Sequence, residues 1–167
     1  MPFETLAWFF VAAITLHNLE EAIWLPQWSR SAGRWHVPVD PFVFRFAVAV
    51  LTLAAFAVAA FAMANGKQST GAYLLAGYAL AMLLNVVFPH LIATLATRRY
   101  APGTATALLL NAPVCTLLLL VALEQEYVVA ATFKWAGPAI VIAIALSIPL
   151  LFIVGGWIRP LYERATR

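Results

Sequence analysis

The sequence predicts an all-α fold: a polytopic integral membrane helix bundle of about five transmembrane helices, built as one domain over residues 1–167. Three observations carry this reading. Hydrophobic residues make up 64% of the chain, which has only ten Lys/Arg and seven Asp/Glu; an average soluble domain is about 45–50% apolar. The apolar residues gather in five runs, each long enough to supply the roughly 20 helical residues that cross a hydrocarbon core about 30 Å thick. The breaks between runs carry Pro, Gly or Asn. In lipid, backbone groups must pair within their own segment, so such runs resolve as helices.

Taken in order, the first run covers 5–25. It has no basic leader and carries acids, so it reads as a span rather than a cleavable signal, and Pro26 follows it. The second covers 42–64, is rich in Ala and comes after Pro38 and Pro41. Asn65-Gly66 separates it from the third, 71–96, where Gly71 and Gly77 suit close helix packing. Ala101-Pro102-Gly103 separates the third from the fourth, 104–123. The fifth, 137–158, is expected to open at Gly137-Pro138 and to be followed by Pro160.

Basic residues sort by side. Arg30, Arg34, Arg45, Arg98, Arg99, Arg159, Arg164 and Arg167 fall on one side, and only Lys67 and Lys134 on the other. Positive residues mark the cytoplasmic side, which puts the N-terminus outside and the C-terminus in the cytoplasm. Tryptophans near the run ends, Trp35 among them, suit an aromatic belt. The pI near 9.4 comes from scattered loop residues rather than a patch, so no nucleic-acid partner is expected. The single Cys115 excludes an internal disulfide and a multi-cysteine metal site.

Acid placement locates the chemistry. Five acids sit at or between run ends, while Glu20 and Glu21 lie inside the first run, three and four residues after His17. Residues three and four apart share a helix face, so the glutamates flank His17, about 100° apart. Asn85 and His90 on the third span and Asn111 on the fourth fall at a similar depth. Pro89 and Pro113 are placed to open those helices locally. A carboxylate at the bilayer centre costs about 2.5–3.5 kcal/mol on insertion scales. Protonation, a basic partner such as Arg45, or a metal cation would offset that cost. Arg45 itself reads better as a snorkelling interfacial residue, and His36 as a loop residue rather than a ligand. The plainer reading of the buried group is a polar clamp between helices.

His17, Glu20 and Glu21, with the later Asn85 and His90 and the Tyr100-Ala101-Pro102-Gly103 turn, resemble the signature of the HXXEE family of small bacterial membrane proteins. The resemblance runs from His17 to about Asn111. It implies a multi-pass protein of the bacterial inner membrane with a metal or acid/base site, and carries no assigned reaction.

Three function classes stay open, and the sequence leaves undecided whether the chain is an enzyme. The first is a metal-dependent membrane enzyme. His17, Glu20, Glu21 and His90 would hold a divalent metal, iron or zinc. Glu20, Glu21 and Asn85 would act in catalysis, and Trp24, Asn85, Tyr100 and Asn111 would hold a lipid-like or small hydrophobic substrate. The second is a metal-free isomerase or cyclase. The His17/Glu21 spacing is similar to that of the emopamil-binding sterol isomerases, where an acid protonates a double bond. The third is a small transporter or membrane binding protein. The bilayer is the expected partner, and self-association is left open.

Overall fold

A computed structural model describes residues 1–33 and 37–165. Arg34, Trp35, His36 and Arg167, all named above, lie outside the described residues. Among the described residues five helices are long and apolar enough to cross a membrane: α1 Phe3–Ser29, α2 Pro41–Asn65, α3 Thr70–Thr97, α4 Thr104–Glu124 and α5 Ala130–Ala165. No strand occurs among the described residues. This is a multi-pass helical membrane protein.

Capping chemistry sets the starts. Asp40 accepts from the amides of Phe42 (2.9 Å) and Val43 (3.1 Å), with Pro41 in the first turn of α2. Ser69 accepts from Ala72 N–H at 3.1 Å and opens α3. Three prolines expected to bound helices, Pro26, Pro138 and Pro160, lie inside them instead. α1 continues through Pro26 to Ser29, and α5 begins at Ala130 and runs through Pro138, Pro149 and Pro160. In α5 the reason is local: residues 130–136 hold no breaker, and Val129 C=O already accepts from Phe133 N–H at 2.8 Å. In α1 a side chain offsets the lost bond. Proline cannot donate to the carbonyl four residues back, here Ala22, and Arg45 Nε donates to that carbonyl at 3.0 Å. Arg45 therefore completes the α1 backbone rather than pairing with the glutamates.

α1 is the most buried helix of the bundle. Its stripe of Phe3, Leu6, Ala7, Phe10, Val11 and Ile14 packs against Ala55 and Ala59 of α2, Leu75 and Ala79 of α3, and Leu118 and Ala122 of α4. The three- and four-residue spacing that brings these side chains inward continues to His17 and Glu21, so the core register delivers the motif to the interior. Small residues allow close approach. A Cβ on Gly71 would stand 2.7 Å from Ala62 N, and one on Gly77 would stand 2.6 Å from Ile140 Cδ1. Polar links tie the helices: Asn18 Nδ2 donates to Thr52 Oγ1 at 2.8 Å, and Tyr78 O–H to Leu51 C=O at 2.9 Å. α5 packs on α2 and α3 and leaves its opposite face to the surroundings.

Candidate functional site

The site lies toward the end of the bundle that carries the α1–α2 connection. Two helices change pitch there. α3 passes through a π-helical stretch, Val86–Leu91, broken at Phe88 just before Pro89. α4 has another, Ala107–Asn111, followed by Ala112 and Pro113 in the first turn of the resumed α-helix. His90 and Asn111 occupy these stretches and are buried. Such turns displace side chains from the 3.6-residue register.

His17, Glu21 and His90 come together, each offering one ligand atom within 4.8 Å of the others. Glu21 Oε1 stands 3.3 Å from His90 Nε2, and Glu21 Oε2 stands 3.9 Å from His17 Nε2. The imidazoles meet edge to face, with centroids 4.8 Å apart. Both histidines are fully or nearly fully buried, and the Glu21 side chain is 12% exposed.

Glu20 takes a different place. Its Oε1 accepts from Gly103 N–H at 2.8 Å and from the Tyr100 hydroxyl; its Oε2 accepts from Thr106 Oγ1 at 2.6 Å and Thr106 N–H at 3.3 Å. Four donors thus surround a carboxylate expected to be a ligand, and the adjacent glutamate faces the histidines alone. Thr106 Oγ1 also lies 3.0 Å from His17 Nδ1. Gly103, at φ +91°, packs directly on both imidazoles.

Asn85 Oδ1, both amide atoms of Asn111 and His17 Nε2 are buried with no hydrogen-bond partner. Buried unpaired polar atoms cost about 1–3 kcal/mol each, so these atoms are suited to take up a polar guest or cation. Trp24 and Tyr100 lie elsewhere, on a groove of about 810 Å³ along α1. Leu16, Leu19, Ile23 and Leu110 form its apolar wall, with Glu20 and Thr106 as polar floor. The expected substrate residues therefore divide: Trp24 and Tyr100 line the groove, whereas Asn85 and Asn111 do not.

Sequence reasoning missed Thr106 and the pair Thr94–Thr104, whose hydroxyls stand 2.8 Å apart and brace the turn before α4. The available signal was three hydroxyl residues at the mouths of two apolar runs, beside a Pro-Gly turn.

Fold and site define a polytopic helical membrane protein that buries a two-histidine, one-glutamate cluster. The chain belongs to the HXXEE family: the family model, described as a protein of unknown function with HXXEE motif, matches residues 8–118. It is also similar to the uncharacterized protein YrkK of Bacillus subtilis (strain 168). The two are 39% identical over 152 residues, covering 91% of this chain and 96% of that protein. No solved structure matches the chain.

Proposed function

We propose that this protein is a metal-dependent membrane enzyme acting on a lipid-like or small hydrophobic molecule. The observation that carries the reading is the convergence of His17, Glu21 and His90 from α1 and α3 within 4.8 Å. Two imidazoles and one carboxylate make a donor set suited to zinc or to iron(II). His17 Nε2, buried with no hydrogen-bond partner, supports the fit. His17, Glu21 and His90 would hold the ion. Zinc would supply an activated water for hydrolysis, and iron would supply oxidation chemistry. Asn85 through its unpaired Oδ1, and Asn111 through both amide atoms, would orient a polar group of the substrate or a water. The groove lined by Trp24 and Tyr100 gives an apolar molecule a place beside the cluster.

The positive-inside pattern supports a cytoplasmic face for the site, and membership of a family with a bacterial relative supports the bacterial inner membrane. A metal-free acid/base reaction is the second reading, favoured by the 3.3 Å approach of Glu21 to His90. A transporter is disfavoured, because the α1 stripe from Phe3 to Ile14 is apolar.

Metal analysis of protein purified in mild detergent tests the proposal. The wild type is expected to hold stoichiometric zinc or iron, lost in His17→Ala. No stoichiometric metal in the wild type, with stability indifferent to chelator, would overturn it.

A further inference from the structure

We infer that Glu20 is a positioning residue that acts through Thr106 to fix the tautomer of His17, holding its proton on Nδ1 and turning the Nε2 lone pair toward Glu21 and His90. A threonine hydroxyl has one proton and two lone pairs. Thr106 Oγ1 is 2.6 Å from Glu20 Oε2, 3.2 Å from Gly103 C=O and 3.0 Å from His17 Nδ1.

Glu20 already accepts from the Tyr100 hydroxyl and from the amides of Gly103 and Thr106. A carboxyl surrounded by donors is an acceptor, so the short contact with Thr106 takes the hydroxyl proton. Thr106 then has only lone pairs to offer His17, and Nδ1 must donate. Nδ1–H leaves Nε2 unprotonated on the side where Glu21 Oε2 stands 3.9 Å away. Were the proton on Nε2 instead, two lone pairs would face each other across 3.0 Å between Nδ1 and Thr106 Oγ1.

Metal-binding histidines usually have their second nitrogen engaged this way, by a partner that sets tautomer and ring orientation. That consequence rests on the metal reading above; the tautomer itself does not. The inference also explains adjacent glutamates in one motif. Glu21 faces the histidines, while Glu20, about 100° round the helix, anchors the Tyr100–Thr106 turn and presents Thr106 to His17.

The test is ¹⁵N NMR of histidine-labelled, metal-free protein in detergent micelles or nanodiscs. The chain has three histidines, so His36→Asn and His90→Asn variants assign the signal of His17. The inference expects His17 protonated on Nδ1 in the wild type and in Thr106→Ser. In Thr106→Val the Nε2–H form should appear, and zinc affinity should fall about 10–100-fold. His17 protonated on Nε2 in the wild type would overturn the inference, even if Thr106→Val failed to fold. An unchanged tautomer in folded Thr106→Val would overturn it too. If the wild type binds no zinc but shows Nδ1–H, the metal reading fails and the inference stands.

Discussion

Gly103 lies so close to His90 that a Cβ on it would stand 2.4 Å from His90 Cε1 and 2.9 Å from Nδ1, with His17 Cε1 at 3.0 Å. Its φ of +91° is also one that L side chains rarely adopt. Gly103→Ala should therefore destabilise the protein by at least the roughly 1–3 kcal/mol of a strained backbone position, and should weaken metal binding by displacing both rings. Thermal unfolding in detergent and zinc titration measure the two effects. Gly156→Ala is the control: nothing lies within 4 Å of its Cβ position, and it should change neither.

Arg45 and Pro26 should be energetically coupled. Pro26 leaves Ala22 C=O without its helical donor, and Arg45 Nε supplies one at 3.0 Å. Arg45→Leu should destabilise the wild type but have a much smaller effect in a Pro26→Ala background, where the helix donor returns. A double-mutant unfolding cycle should give a coupling energy of about 0.5–3 kcal/mol. Strictly additive effects would refute the pairing.

Two buried asparagines should behave in opposite ways. Asn18 bonds Thr52 between α1 and α2, and such links in membrane proteins average about 0.6 kcal/mol. Asn18→Leu should lower stability by about that much and leave metal binding intact. Asn111 spends neither amide atom on a protein partner, so Asn111→Leu should leave stability unchanged or raise it while impairing turnover of any substrate found. Stability is read by unfolding in detergent; loss of stability in Asn111→Leu would show that its amide is structural.

The far end of the bundle should be sensitive to alkali. Tyr127, in the α4–α5 connection, donates its hydroxyl to Glu4, and that bond pushes its pKa up from 10.0 to about 12. A pKa raised by folding gives stability fully present below the unfolded value and lost as pH rises through the folded one. The contribution should therefore be complete below about pH 10 and disappear toward about pH 12. Tyr127→Phe should be less stable at neutral pH and flatter across that window, as read by the pH dependence of the melting temperature.

The bundle was legible because the bilayer imposes one length on every span, and the apolar runs report it directly. Helix ends were less so. Pro26 and Pro138 look like terminators in one dimension, and only the fold shows Arg45 replacing the lost donor and α5 starting a turn or more earlier. The meeting of His17 with His90 followed from depth and face. Which glutamate would join them did not, since helical spacing places Glu20 and Glu21 symmetrically about His17. Gly103 and Thr106 break that symmetry, and their approach depends on how α4 packs against α1. The amide groups of Asn85 and Asn111 likewise look alike in sequence to an ordinary interhelical bond such as that of Asn18.

X-ray absorption at the metal edge of purified, metal-loaded protein tests the central claim most directly, because it counts imidazole ligands. The account predicts one ion per chain with two imidazoles and an oxygen donor in the wild type, and no retained ion in His17→Ala or His90→Ala. The oxygen donor should go in Glu21→Gln and stay in Glu20→Gln. A wild-type protein that takes up no ion, or binds one without both histidines, would contradict it.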